Sequence, residues 1–180
     1  MTNIILCGKK GDTALSNVLL PALAQYGSVQ YCSAGSLKAY GTGETRFLVY
    51  DSEKIPHTQM ESGILLFKNS FQPASAVCLP KGFLCVFESQ NSRAAEVLRG
   101  TGMTAVTCGM SSWDTLSIAS IDYGSAALSL QRSIRTVDGV IIEPCEITVS
   151  LTASPSPRQI LAVCLTLLLA GVDFADGYLI

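Results

Sequence analysis

Apolar residues recur along the chain with two alternating spacings, and this alternation predicts an α/β fold. Continuous apolar runs such as NIILCG (residues 3–8), TRFLVYD (45–51) and GFLCVFES (82–89) suit strands buried on both faces, as in parallel sheets. Stretches with helical spacing lie between such runs and end at glycine, at residues 13–27 and 92–102. Strands that alternate with helices or short crossovers indicate a mostly parallel sheet flanked by helices, as in P-loop NTPases.

The pattern changes after Gly109. Apolar and polar residues then alternate with period two, and hairpin signals stand at Tyr123–Gly124 and Asp138–Gly139. This predicts a small antiparallel β subdomain in the C-terminal half, followed by a closing helix from Arg158 to about Leu169. We therefore expect one unit with three parts, an α/β core (1–109), a small antiparallel sheet (110–153) and a closing helix with its tail (154–180).

Composition narrows the classes of partner. Hydrophobic residues make up 48% of the chain and charged residues only 14%, which predicts a large core and a surface partly covered by a homo-oligomeric or other protein partner. The net charge of −2 and the lack of any basic run argue against nucleic-acid binding. The most apolar run, residues 160–171, is shorter than the ~20 residues that cross a bilayer, so we expect a buried helix and no membrane span.

Cysteine usage points to a reducing compartment. The seven cysteines are odd in number and form no CxxC pair, which indicates buried free thiols and a cytoplasmic protein rather than a disulfide framework. A single histidine, His57, without a nearby cysteine argues against a metal site of the zinc type. No signal peptide is expected, because the N-terminus has no basic region before its first apolar run. Trp113, at the entry to the predicted antiparallel sheet, is expected to pack between the two parts of the chain, with an anchor for a protein partner as the alternative.

The first strand-to-helix connection has the layout of a phosphate-binding loop. Such a loop directs backbone N–H groups and a helix N-terminus toward a phosphate, and places a lysine on the phosphate and a Ser/Thr on Mg²⁺. Asp12 stands where that lysine is needed, and at ~4 Å it would repel a phosphate charge by about 4 kcal/mol at an effective dielectric of 20. The candidate cofactor-binding residues are Gly8, Lys9, Lys10, Gly11, Asp12 and Thr13, and the weak metal candidates are Thr13 and Asp51.

Two interpretations of this loop remain open. In the first, the loop is a capped turn without a ligand, because Asp12 suits the first turn of a helix, where a carboxylate interacts favourably with the dipole. In the second, backbone amides of residues 8–13 bind a nucleotide or another anion, with Lys9 or Lys10 replacing the missing lysine.

The order of these features resembles the central, ATP-binding domain of the Mur ligases. The loop at residues 8–14 (GKKGDTA) is similar to the G-T-N-G-K-T-T loop of that family. AVTCG (105–109) resembles its VITFG strand, and residues 161–173 resemble its closing helix. The resemblance covers nearly the whole chain and leaves the N- and C-terminal domains of those enzymes without a counterpart. It implies a ligase that forms an acyl phosphate from ATP and joins an amino acid to a carboxylate.

The departures from that family concern the residues that handle ATP and Mg²⁺. The loop lysine is Asp12, and the glutamate that helps to hold Mg²⁺ is matched only by Asp51. Asn69 is kept, but Pro73 and Ala74 stand where the family has Asp and His. The N-x-D-D-P turn is replaced by residues 88–91, and the G-x-H-N-x-x-N segment by residues 153–159.

These combined losses predict a non-catalytic Mur ligase-like domain. We expect it to have lost ATP-dependent ligation and to carry no catalytic residue and no bound cofactor, ATP and Mg²⁺ being disfavoured. It is expected to act by binding or association, with a connection to peptidoglycan metabolism. The alternative is a nucleotide- or anion-binding protein that uses the modified loop. A third hypothesis is an interaction subunit that forms a homodimer.

Overall fold

The computed structural model describes residues 1–73 and 77–180 and confirms the α/β fold class. The helices are α1 (Ser16–Tyr26), α2 (Ser92–Leu98) and α3 (Pro157–Leu169). The strands of the N-terminal part are β1 (Thr2–Cys7), β2 (Ser28–Ser33), β3 (Ser36–Tyr40), β4 (Thr45–Ser52), β5 (Gly63–Phe67), β6 (Phe83–Glu88) and β7 (Ala105–Gly109). The later strands are β8 (Leu116–Asp122), β9 (Ser125–Leu130), β10 (Ile134–Arg135), β11 (Ile141–Ile142), β12 (Cys145–Ser150) and β13 (Tyr178–Leu179).

The parallel part of the main sheet places the first loop at a reversal of the strand order. The order across the sheet is β13-β12-β9-β8-β7-β6-β5-β1-β4-β2-β3, and the strands from β1 to β7 are parallel to one another except for β3. The chain passes from β1 to β2 and β4 on one side, then crosses to β5 on the other. Ligands of open α/β sheets bind beyond the carboxyl ends of the strands at such a reversal, and the loop after β1 lies there.

The predicted antiparallel strands extend the same sheet. β8 begins beside the end of β7, with Leu116 level with Cys108, and the antiparallel strands β9 and β12 follow it. Both predicted hairpins are confirmed, at the β8–β9 and β10–β11 connections, and β10 pairs with β11 in a separate two-stranded sheet. The β8–β9 hairpin therefore runs on beyond the carboxyl ends of the parallel strands.

Two helices, α1 and α3, cover the main core on one face of the sheet. α3 is apolar nearly all round, and 9 of its 13 residues are buried. It starts with a capping box formed by Ser156 and Gln159, which satisfies backbone groups at its N-terminus. The predicted buried helix is thus confirmed. Among the residues that the structure describes, no helix meets the length and hydropathy that a membrane span requires.

The opposite face of the sheet has a smaller core. α2 and the segment around Phe71 pack there on side chains of β1, β5 and β6. The cysteines follow the expectation only in part, since Cys7, Cys85, Cys108 and Cys164 are buried, Cys32 and Cys145 are partly buried, and Cys78 is exposed. All seven are free thiols, so no disulfide constrains the described fold.

Candidate functional site

The loop after β1 is a tight turn whose amides bond within the chain. Gly8 N–H donates to the carbonyl oxygen of Ser52 at the end of β4 (3.0 Å). Asp12 N–H donates to the carbonyl oxygen of Lys9 (3.1 Å), and Gly11, with φ at +84°, allows the chain to reverse between them. These two amides therefore point at oxygens of the chain itself.

The Asp12 carboxylate is also held inside the loop. One of its oxygens accepts from Ser70 Oγ (2.5 Å) and the other from Ala14 N–H (3.3 Å) just before α1. The Ser70 hydroxyl in turn accepts from Lys9 N–H (3.1 Å). The carboxylate thus bonds to the backbone two residues further on, without capping α1, and connects the loop to the segment after β5.

A buried lysine that the sequence analysis missed completes the site. Lys68 Nζ lies 2.7 and 2.8 Å from the two carboxylate oxygens of Asp51 and 2.6 Å from the carbonyl oxygen of Asp12. Its side chain is 2% exposed and that of Asp51 is 12% exposed. An ammonium group has three N–H donors, and these three contacts can use all of them. Tyr31 Oη also donates to Asp51 (3.2 Å).

The backbone of the loop leaves room for this lysine. A Cβ atom at Gly8 would stand 2.6 Å from Lys68 Cβ and 2.9 Å from Ser70 Oγ, so only glycine fits there without displacing them. Lys68 is fixed from both sides, because its N–H donates to Cys7 O (2.9 Å) and its carbonyl accepts from Asn91 Nδ2 (3.0 Å). The sequence signal that could have identified Lys68 is a lysine that directly follows the apolar run GILLF of β5.

The remaining predicted loop residues lie on the surface. Lys9, Lys10 and Thr13 are exposed, and the carbonyl of Thr13 accepts the first helical bond, from Asn17 N–H (2.9 Å). Thr13 and Asp51 line the same cavity of about 490 Å³, between the loop and the ends of β2 and β4. Within residues 1–73 and 77–180, no three His, Cys, Asp or Glu side chains are grouped so as to hold a metal ion.

A second cavity, of about 220 Å³, lies on the other side of the loop. Glu88 at the end of β6 accepts there from Arg158 Nε (3.0 Å) and from Asn69 Nδ2 (2.5 Å). Gln159, in the first turn of α3, donates through Nε2 to the carbonyl of Ala14 (2.7 Å) and so ties α3 to the loop. Several positions that depart from the Mur ligase pattern are thus hydrogen-bonded within this chain.

Other positions singled out in the sequence lie apart from the loop. Pro73 is in an irregular segment and Ala74 lies outside the described residues. His57 is exposed and lines two other cavities, neither of which includes a residue of the loop. The expectation that Trp113 packs between two parts of the chain is wrong, because its side chain is 80% exposed.

Comparison with known proteins supports the fold. No protein-family model matches the chain, and no curated protein matches it. Among solved structures, a UDP-N-acetylmuramoyl-L-alanyl-D-glutamate–2,6-diaminopimelate ligase matches 97% of this chain at 9% identity and a TM-score of 0.57. The UDP-N-acetylmuramate:L-alanyl-γ-D-glutamyl-meso-diaminopimelate ligase from Neisseria meningitides matches 96% at 11% identity and a TM-score of 0.59.

The chain has the fold of the Mur ligases. A murein peptide ligase from Psychrobacter arcticus matches likewise, over 96% of this chain at 10% identity and a TM-score of 0.53. The chain spans 44%, 62% and 44% of the lengths of the three ligases. The resemblance drawn from the sequence is confirmed for the fold. Sequence identities this low support a shared fold and say nothing about activity.

Proposed function

We propose that this chain is a non-catalytic Mur ligase-like domain that has lost ATP-dependent ligation and acts by associating with another protein surface. The observation that carries the proposal is the set of contacts around Lys68. The buried ammonium group contacts the Asp51 carboxylate and the Asp12 carbonyl, where a functional loop would direct positive charge at a phosphate.

The electrostatics of the loop support the loss of nucleotide binding. An entering phosphate would meet the Asp12 carboxylate, at a cost of about 4 kcal/mol for two like charges ~4 Å apart at an effective dielectric of 20. Recruiting Lys68 instead would strip a buried carboxylate of its partner, which typically costs about 3–5 kcal/mol. The two costs oppose binding before any contact with the nucleotide is made.

Calorimetric titration with Mg-ATP and Mg-ADP tests this proposal. We expect no heat of binding and no thermal shift for the native chain. Asp12→Lys is the informative variant, because binding that appears only in this variant would locate the defect at that position. ATP turnover by the native chain above the level of a variant altered at both Gly8 and Asp12 would overturn the proposal.

A second candidate function is anion binding by the loop without catalysis. Lys10 and Lys54 line the 490 Å³ cavity beside the loop, and both are exposed. Titration with pyrophosphate tests this alternative, with Lys10→Gln as the variant that should weaken binding and Lys81→Gln, an exposed lysine beside a different cavity, as the control. Equal heats for both variants would argue against a role of the loop.

The biological setting is part of the same proposal. Two similar solved structures bear the names of ligases that act on UDP-N-acetylmuramate and UDP-N-acetylmuramoyl-L-alanyl-D-glutamate, and this supports the proposal of a role in peptidoglycan metabolism. The free thiols fit a reducing, cytoplasmic compartment. Titration with UDP-N-acetylmuramoyl-L-alanyl-D-glutamate tests for direct contact with such a precursor. Absence of binding would leave association with a protein as the mode of action.

A further inference from the structure

The sheet edge beyond β6 and β7 carries large exposed side chains. Met110 and Trp113, in the loop after β7, are 66% and 80% exposed. Arg93 and Arg158 are exposed beyond the neighbouring strand β6, where they line a common cavity of about 310 Å³. We call this set of four residues the Trp113 edge. Exposed aromatic and arginine side chains of this kind are enriched at the centres of protein interfaces.

The Trp113 edge favours a carboxylate. The carboxylates near this edge are largely shielded from solvent. The Glu88 side chain is 12% exposed, and Asp114 is 1% exposed and accepts from Ser111 N–H (3.1 Å). Arg158 bonds to Glu88 through Nε and to Gln90 through one Nη (3.3 Å), which leaves further N–H donors on its fork. An arginine fork pairs well with an incoming carboxylate.

The tip of the β8–β9 hairpin presents complementary groups. Ile121 is 45% exposed, Tyr123 is 103% exposed, and Asp122 between them is exposed as well. Ser117 is level with Gly109, the last residue of β7, and Asp122 lies five residues further along β8. At about 3.3 Å per residue, the tip stands roughly 17 Å beyond the end of β7, so it cannot reach the Trp113 edge of its own chain.

We propose that a second copy of this chain occupies the Trp113 edge through its hairpin tip. Asp122 of one copy pairs with Arg93 and Arg158 of the other, and Tyr123 packs on Trp113. This inference rests on the proposed function, in that it names the partner with which the domain associates.

Twofold symmetry makes the contact reciprocal. The hairpin tip is offset from the Trp113 edge by about one or two strand spacings (~5–10 Å) across the sheet, in addition to its offset along the strands. A twofold axis through the midpoint between the two positions, perpendicular to the line that joins them, brings each tip to the edge of the other copy. The two contacts are then identical and the assembly closes as a dimer.

Sedimentation equilibrium with charge-reversed variants tests the dimer. We expect the native chain to be a dimer, and Asp122→Arg and Arg158→Asp to be monomers when studied separately. Mixing these two variants should restore a heterodimer, because one contact is then native and the other has its charges exchanged. Glu44→Arg, which makes the same charge change in the loop before β4, should stay dimeric. Circular dichroism of each variant checks that it is folded.

Trp113 gives a local readout, since it is the chain's single tryptophan. Its emission should shift to shorter wavelength as the native chain dimerises, and Trp113→Ala should raise the dimer dissociation constant roughly 10- to 100-fold. A native chain that stays monomeric, an Asp122→Arg variant that stays dimeric, or a mixture that gives no heterodimer would each overturn the inference. None of these results changes the Mg-ATP titration, so the failure of one proposal is distinguishable from that of the other.

Discussion

Two parts of the molecule at the carboxyl ends of the parallel strands differ in whether their polar and aromatic side chains are paired within the chain or exposed to solvent. At the loop after β1, the Asp12 and Asp51 carboxylates and the Lys68 ammonium bond to one another and to the backbone. Three strands away, in the loop after β7, the Trp113 side chain is turned to solvent. We call the first part, whose charged groups are paired within the chain, the closed region, and the second part, whose large side chains are exposed, the open region.

The largest expected effect comes from breaking the buried pair in the closed region. Lys68→Ala leaves Asp51 buried without its cation, and we expect a loss of about 3–5 kcal/mol in the free energy of unfolding. Urea titration measures it, with the exposed Lys54→Ala as the control, for which the change should stay near zero. A loss below about 1 kcal/mol would show that water reaches Asp51 and that the region is not closed.

The loss of stability at alkaline pH tests whether water is excluded equally from the strands beneath the two regions. Burial raises the pKa of Cys7, below the loop, and of Cys108, at the end of β7, from 9.0 to about 12. Lys68 partly opposes the pKa shift at Cys7, and Asp51 adds to it. These thiols ionise at a lower pH in the unfolded chain than in the folded chain. The stability that they contribute is therefore fully present below pH 9 and is lost as the pH rises toward 12.

The slope expected for each thiol is on the order of 1 kcal/mol per pH unit. Cys7→Ala and Cys108→Ala should each reduce the loss of stability, measured by urea titration between about pH 8 and pH 11. Similar reductions would mean that the strands beneath the two regions exclude water equally, and that the regions differ only in their loops and surface side chains. A reduction seen for Cys7→Ala alone would mean that water reaches Cys108, at the end of β7 in the open region.

Asp12→Ala should have a smaller effect than the loss of Lys68. It removes the bonds from Ser70 Oγ and Ala14 N–H, and we expect the free energy of unfolding to fall by about 1–2 kcal/mol. The exposed Glu53→Ala is the matched control and should change little. A stability equal to that of the native chain would show that these two hydrogen bonds contribute no net stability.

Much of the closed region could be predicted from the sequence, but its central ion pair could not. The apolar runs at residues 3–8 and 45–51 located β1 and β4, and the glycines indicated the turn between β1 and α1. The pairing of Lys68 with Asp51 depends on β1 lying between β4 and β5, with Leu6 beside Asp51 and Cys7 beside Phe67. Sequence periodicity specifies which face a residue occupies and carries no information on which strands become neighbours.

The open region was harder to predict because exposure of an apolar residue has no sequence signature. Trp113 was expected to pack because it stands where two parts of the chain join, and tryptophan is on average a highly buried residue. β3 was missed for a related reason, since it is short and none of its five residues is buried. Both errors come from using burial as the expected state of a strand or an aromatic ring.

The smallest expected change in stability belongs to Trp113→Ala, and it is the sharpest test of the contrast. A side chain that is 80% exposed contributes little to folding, so the free energy of unfolding should stay within about 0.5 kcal/mol of the native value. The measurement belongs at a protein concentration low enough for monomers, because dimerisation would add a concentration-dependent term. Leu116→Ala, at a 0% exposed position of the same sheet, should instead cost about 2–5 kcal/mol. If Trp113→Ala cost as much as Leu116→Ala, the ring would be packed within the fold and the edge would not be open.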